Sequence, residues 1–86
     1  MISFEIKPQN ESTPDEVEVY FDSIGLSDLI AQLEIISSGK TDHAHLMAES
    51  WGGSHLDEET QISSNMPVRH VKLMLVKALK DNYGGR

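Results

Sequence analysis

The sequence predicts an α+β domain in which one helix packs on one face of a four-stranded antiparallel sheet. Two segments near the start alternate apolar and polar residues, a longer segment has a helical period, and two later segments alternate again. Alternation is typical of half-buried strands, and a 3.6-residue period is typical of an amphipathic helix. The predicted order is therefore β-β-α-β-β, and 86 residues suffice for a single domain, residues 1–86.

The first two strands are predicted at residues 2–7, ISFEIK, and 16–22, EVEVYFD. Pro8 ends the first strand, and a polar segment with a second proline separates the two, so we expect an antiparallel hairpin with a long loop. The residues expected to face inward are Ile2, Phe4, Ile6, Val17, Val19 and Phe21.

The segment from Ser23 to Lys40 predicts the helix. Its apolar residues recur at i, i+3, i+4, i+7 and i+10, which places them on one helical face. Ser27 or Ser23 is expected to cap the start, and Gly39 to take the left-handed position after the end. The apolar positions are Leu26, Leu29, Ile30, Leu33 and Ile36.

Residues 41–49 predict the third strand, which a glycine-bearing loop follows at residues 50–67. Gly52 and Gly53 are expected to turn the chain through positive φ, and a short strand near Leu56 is an alternative within the loop. Trp51 either fills the end of the core or stands out as an anchor; the core position is favoured because one tryptophan is a large share of the apolar area of so small a domain. In the strand, the expected inward residues are Ala44, Leu46 and Ala48, and the outward ones are His43, His45, Met47 and Glu49.

Residues 68–79 predict the last strand, with Arg69 partly exposed at its start. Its end is rich in helix formers, so a short helix from about Val76 is an alternative, and a frayed tail is expected from about residue 81. Its expected inward residues are Val71, Leu73 and Leu75, and its outward residues are His70, Lys72 and Met74.

A single helix cannot cover both faces of this sheet, so the outward residues must meet solvent or a partner. Aromatic, histidine and methionine side chains on an open face are typical of a binding surface. The outward set comprises Tyr20, His43, His45, Met47, His70 and Met74.

The charge pattern favours a basic protein partner and argues against nucleic acid. Residues 1–66 carry thirteen acidic side chains against two basic ones, while residues 67–86 carry five basic side chains against one acidic one. Phosphates would be repelled across most of such a surface, whereas a basic protein would be attracted to it. The acidity also has a simpler explanation, which is solubility.

The composition predicts a cytoplasmic protein that needs no cofactor. The chain has no cysteine, which excludes disulfides and thiolate metal sites. No segment approaches the roughly 20 apolar residues of a membrane span, and the start lacks the pattern of a signal peptide.

Two chemical alternatives concern the segment from His43 to Glu59. His43, His45 and His70 would share one sheet face and are weak candidates for a zinc site, since no established ligand spacing accompanies them. A serine–histidine–acid trio can be drawn from Ser50 or Ser54, His55 and Asp57, but residues so close in sequence rarely reach triad geometry. A homodimer that covers the open face with a second copy is a third alternative.

The segments HAHLMAESWGG and VRHVKLMLV, with the acidic loop between them and the helix before them, resemble the immunity protein 32 family of bacterial polymorphic toxin systems. The resemblance covers roughly residues 16–77. It implies a small, non-enzymatic α+β protein, encoded beside a toxin, that neutralises the toxin by direct binding. The motif positions that carry it are His43, His45, Leu46, Trp51, Gly52, Gly53 and His70.

The resulting hypothesis is a bacterial immunity protein whose cognate toxin has a basic surface. Its acidic residues would attract the toxin, and its open sheet face would cover it. The candidate partner-binding residues are Asp57, Glu58, Glu59, Trp51, His43, His45, Met47, His70 and Tyr20.

Overall fold

The computed structural model describes residues 1–9 and 15–76. These residues form five strands and one α-helix, in the order β-β-α-β-β-β, with a short 3₁₀ turn after the third strand. The α+β class is confirmed. The elements are β1 (Ile2–Lys7), β2 (Glu16–Phe21), α1 (Ser23–Ser37), β3 (His43–Met47), the 3₁₀ turn (Glu49–Trp51), β4 (Met66–Val68) and β5 (His70–Met74).

The strands form two antiparallel sheets, so the prediction of one four-stranded sheet is wrong. β1 is the centre of a three-stranded sheet with the order β2-β1-β4, and β3 pairs with β5 in a two-stranded sheet. The predicted last strand is divided at Arg69, and Met66 and Pro67, which were expected in the loop, belong to β4.

The predicted last strand is divided because hydrogen bonds hold the preceding loop against β1. The buried carboxylate of Glu5, on β1, accepts hydrogen bonds from the loop at Gln61 and Asn65. This holds the loop against β1, so the residues that leave it pair with β1 as β4. Beyond Arg69 the chain pairs with β3 instead. In the loop itself, Leu56 forms only an isolated parallel bridge with Ala48 rather than a strand.

Helix α1 begins at the residue after its cap, which is Asp22 and not either of the predicted serines. The Asp22 carboxylate accepts a hydrogen bond from the Gly25 backbone N–H at 2.8 Å and pairs with the N-terminal ammonium group. The first contact satisfies a backbone N–H of the first helical turn, and the second pairs the carboxylate with a positive charge. At the other end the predicted position of Gly39 is confirmed, since it follows the cap Ser38 with φ +88°.

The side of α1 that packs on the sheets is rotated away from the centre of its apolar face. The inward residues are Gly25, Leu29, Gln32 and Ile36, which recur at helical spacing. At 100° per residue, Leu26, Ile30 and Leu33 lie together on one flank of that seam, and all three are exposed. The helix therefore leaves much of its predicted apolar face uncovered.

The core lies where α1 crosses the first residue of β1 and the end of β3. Ile2, Leu46, Ala48 and Leu56 form one cluster, with Phe4, Leu29, Val71 and Leu73 packed against it. The buried hydrophobic residues of the described chain are Ile2, Ile36, Leu46, Ala48 and Leu56.

Gly25 lies where α1 approaches the N-terminus most closely. A Cβ atom built at this position would overlap the Met1 carbonyl oxygen. Replacing glycine by alanine within a helix ordinarily stabilises by about 1 kcal/mol. Here we expect Gly25→Ala to destabilise by about 1–3 kcal/mol, because the overlap forces a backbone shift.

Urea unfolding with Ser27→Ala as the matched control measures this effect. Ser27 is exposed on the same helix, so its substitution is expected to change stability by less than about 0.5 kcal/mol. A gain in stability for Gly25→Ala would contradict the described packing of α1 on the N-terminus.

The β1–β2 hairpin has the predicted shared apolar face, but that face is not fully covered. Ile2 lies opposite Phe21, Phe4 opposite Val19, and Ile6 opposite Val17. On β1 these side chains are buried or half-buried, whereas on β2 they are exposed, with Val17 63% exposed. The prediction that the β2 residues face into a core is therefore wrong, because the core cluster contains Ile2 and packs against Phe4 of β1 but includes no residue of β2.

The alternative helix from about Val76 and the tail from about residue 81 lie outside the described residues. Within residues 1–9 and 15–76, no helix combines the length and the apolar character needed to cross a membrane.

Candidate binding face

The β3–β5 pairing brings together most of the predicted outward residues. His43 lies opposite Met74, His45 opposite Lys72, and Met47 opposite His70. The alternate residues, Ala44, Leu46, Val71 and Leu73, point toward the core. Alternation thus predicted the two faces of this sheet correctly. We use the name histidine face for the surface formed by His43, His45, Met47, His70 and Trp51.

The histidine side chains contact each other in a row. The Nδ1 atom of His45 lies 2.9 Å from Nε2 of His70, which is hydrogen-bond distance. The ring of His43 meets that of His45 edge-on at 5.2 Å between centroids. Because a hydrogen bond between two imidazole nitrogens needs one donor and one acceptor, the pair can share only one proton at this contact.

Trp51 stands on this surface and not in the core, so the favoured core position is wrong. Its side chain is 58% exposed, and its ring lies 5.4 Å from the His70 ring. The reason is the 3₁₀ turn Glu49–Trp51, which lifts the indole away from the core directly after buried Ala48.

The two glycines after Trp51 have different physical roles. Gly52 ends the turn with φ +88°, as the sequence predicted for a glycine turn. Gly53 lies directly on the backbone of Met47, and a Cβ there would contact the Met47 carbonyl oxygen at 2.5 Å. Together they fold the loop back onto β3, where His55 donates its backbone N–H to the Met47 carbonyl.

Glu58 connects the 3₁₀ turn to the division between β4 and β5. Its carboxylate accepts hydrogen bonds from the Ser50 backbone N–H, from the Ser50 hydroxyl at 3.1 Å and from Arg69 Nε at 3.1 Å. The Ser50 N–H is the main cause that holds the pKa of Glu58 below its ordinary value, although partial burial opposes it. Glu58 thus positions the segment that presents Trp51, and its charge is already engaged within the chain.

The remaining candidate residues lie elsewhere. Tyr20 is on β2 in the other sheet, where its hydroxyl donates to Glu18 at 2.9 Å, so it does not join the histidine face. Asp57 is half-buried and donates its backbone N–H to the Ile2 carbonyl, while Glu59 is exposed. Ser50 donates its hydroxyl to Glu58 and not to His55.

The histidine row was also a candidate for metal binding. Among residues 1–9 and 15–76, no group of three or more histidine, cysteine or acidic side chains has a geometry that could hold a metal ion. Imidazole ligands need their nitrogens to converge on one point at about 2.0–2.1 Å from zinc. Here the closest pair of ring nitrogens faces each other across a hydrogen bond.

The charge state of His45 is set by its neighbours. Burial, followed by the proximity of His70, His43 and Lys72, holds the pKa of His45 below its ordinary value of 6.5. The folded chain therefore binds fewer protons than the unfolded chain at this site. The free energy of unfolding therefore decreases as the pH falls from about 6.5 through the lowered pKa of His45, because the unfolded chain takes up this proton first.

We therefore expect the His45 imidazole to titrate below pH 6.5 in an NMR titration, and its pKa to rise in the His70→Ala variant. The substitution opens the ring to solvent and removes a neighbouring positive charge. The backbone amide signal of Ile24, an exposed residue of α1, is the control and is expected to be unchanged by His70→Ala. A His45 titration above pH 6.5, or no response to His70→Ala, would contradict the described contact.

A buried network under the three-stranded sheet was not anticipated from the sequence. Glu5 is 0% exposed and accepts hydrogen bonds from the Ser3 hydroxyl at 2.6 Å, the Gln61 backbone N–H at 2.5 Å and Asn65 Nδ2 at 2.8 Å. Asn65 Nδ2 also donates to Glu18 at 3.0 Å. The only sequence signal is a carboxylate at the centre of a strand, which alternation alone interprets as solvent-facing.

No family model matches this chain, and no curated protein and no solved structure matches it either. The fold and the histidine face describe a small α+β domain with an open, partly aromatic surface on a two-stranded sheet.

Proposed function

We propose that the chain is a non-enzymatic immunity protein that neutralises a cognate bacterial toxin by binding it through the histidine face. The observation that carries this proposal is the exposed Trp51 packed on His70. Tryptophan side chains dominate the binding energy of many interfaces, since they bury a large apolar area in a fixed geometry. The resemblance of the same segments to the immunity protein 32 family supports the choice of partner.

The pre-positioning of Trp51 also supports a binding role. Its turn is held by the hydrogen bonds of Ser50 to Glu58, and Glu58 is held in turn by Arg69. A side chain whose surroundings are fixed before binding loses less conformational entropy when the partner arrives. Met47 adds a polarizable apolar surface beside it on the same face.

The acidic surface supports a basic partner, although fewer acidic residues can attract it than the sequence suggested. Glu58 is engaged within the chain, so the exposed acids nearest the histidine face in sequence are Asp42, whose carboxylate lies 2.9 Å from His43 Nδ1, and Glu49, with Glu59 further along the chain. Such charges at the rim of an interface mainly accelerate association. We propose that they attract the toxin and that the histidine face then provides most of the affinity.

The test starts from the gene adjacent to that of this chain, which the proposal expects to encode a toxin-like domain. Expression of that domain alone is expected to stop bacterial growth, and co-expression of the chain is expected to restore it. Calorimetry with the two purified proteins should give a saturable 1:1 complex. A toxic neighbouring domain that the chain neither binds nor neutralises would overturn the proposal.

A further inference from the structure

Strands β2 and β5 are both edge strands in the described part of the chain. β2 pairs only with β1, and β5 pairs only with β3. Each edge therefore presents backbone N–H and C=O groups that a further strand can bind. Natural edge strands are usually protected by short length, charge or a covering element.

Apolar side chains accompany both edges. On β2 the exposed residues are Val17, Val19 and Phe21. Beside β5, the apolar flank of α1 leaves a groove of about 350 Å³, because the helix packs over β3 and does not reach across β5. The groove is lined by Leu33, Ile36, Lys72, Leu73, Met74 and Leu75.

The two edges are complementary in charge as well as in apolar character. The face of β2 opposite its apolar residues carries exposed Glu16, and the corresponding face of β5 carries exposed Lys72. If β2 and β5 were neighbours in one continuous sheet, apolar residues would meet apolar residues on one side, and the Glu16 carboxylate would meet the Lys72 ammonium group on the other. A one-residue shift in this pairing would destroy both matches at once.

We propose that two copies of the chain associate through these edges, with β2 of each copy paired to β5 of the other about a two-fold axis. The two copies are related by a closed two-fold symmetry, because each contributes one β2 edge and one β5 edge and the two junctions are equivalent. A second copy is the fitting occupant since this chain itself carries the complementary strand. The acidity of the whole chain opposes association weakly, as charges beyond about 8 Å are screened at physiological salt.

This inference is independent of the proposed function. The dimer is proposed to form at the edge of β5, in the plane of its sheet, whereas the toxin is proposed to bind on the histidine face. Failure to neutralise a toxin would therefore leave the dimer in place, and a monomeric chain would leave toxin binding in place.

Sedimentation equilibrium on the full chain and charge-reversed variants tests the junction. The wild type is expected to dimerise below about 100 µM. Glu16→Lys and Lys72→Glu are each expected to raise the dissociation constant about fivefold, and the double variant is expected to restore it to within about twofold. Restoration requires the two positions to face each other across the interface.

A matched apolar pair controls for general surface effects. Val19→Asp is expected to weaken the dimer about 100-fold or more, because it places an unpaired charge at the junction. Ile24→Asp makes the same kind of change on the other flank of α1, where Ile24 is 70% exposed, and is expected to have no effect. Circular dichroism and urea unfolding verify that each variant is folded. A wild-type chain that remains monomeric at about 100 µM, or a dimer that the charge exchange does not restore, would overturn the proposal.

Discussion

Replacing Trp51 by alanine is expected to weaken toxin binding by about 2–4 kcal/mol, or roughly 30- to 1000-fold in the dissociation constant. The same substitution should lower the free energy of unfolding by only about 1–2 kcal/mol, compared with about 3–5 kcal/mol for a core tryptophan, since the side chain is 58% exposed in the free protein. The large effect on binding and the small effect on folding together distinguish an interface tryptophan from a core one. Calorimetry with the toxin and urea unfolding measure the two quantities.

The control for Trp51→Ala is Ile24→Ala. Ile24 is 70% exposed and lies on α1, away from the histidine face, so its truncation is expected to leave toxin affinity unchanged. If Trp51→Ala binds the toxin as tightly as the wild type, the histidine face is not the binding surface. If it instead unfolds the domain, the described exposure of Trp51 is wrong.

The second large effect concerns stability and the buried carboxylate of Glu5. Glu5→Gln is expected to destabilise the domain by about 3 kcal/mol at neutral pH, which corresponds to roughly 15 °C in Tm for a domain of this size. The Gln61 N–H donates to Oε2 of the carboxylate and Asn65 Nδ2 donates to Oε1 in the wild type. The amide retains only one of these two oxygens and places an NH2 group at the other, so one buried donor would lose its acceptor and meet another donor.

The pH dependence of this effect follows from the pKa of Glu5. Burial alone would raise the pKa, but hydrogen bonds from the Gln61 N–H, Ser3 and Asn65 outweigh it and hold the pKa below the ordinary value of 4.5. The stabilisation is therefore complete above about pH 4.5 and is lost as the pH falls through the lowered pKa. We expect the difference in stability between wild type and Glu5→Gln to shrink over that acid range.

Urea unfolding at neutral and acid pH measures this difference. Glu59→Gln is the matched control, because Glu59 is exposed and its substitution should cost less than about 0.5 kcal/mol at any pH. A Glu5→Gln variant as stable as the wild type at neutral pH would contradict the described network, and so would a difference that persists unchanged in acid.

The contrast between Glu5 and the histidines shows which parts of this fold the sequence could predict. Alternation predicts which side of a strand faces the core, so the positions of His43, His45 and Met47 relative to Ala44 and Leu46 were predicted correctly. It does not predict which strands are neighbours. For that reason the division into two sheets, and with it the separation of Tyr20 from the histidine face, required the structure.

The contacts that were not predicted are long-range and polar. Asn65 lies 60 residues from Glu5 in sequence, and no local pattern indicates that a loop amide will cover a strand carboxylate. Trp51 is a different case, since composition favours burial of a lone tryptophan, but a single 3₁₀ turn after Ala48 reverses its direction. The local backbone conformation therefore determines the exposure of Trp51, and the apolar area of its side chain does not.

Binding through the histidine face is tested most directly by an NMR comparison of the free chain with its complex with the toxin. We expect the largest changes at the Trp51 indole N–H and at the ring signals of His45 and His70, while signals from exposed residues on β2 and on the Ile24 flank of α1 change little. Large changes confined to β2 or α1, with the Trp51 and histidine signals unchanged, would contradict it.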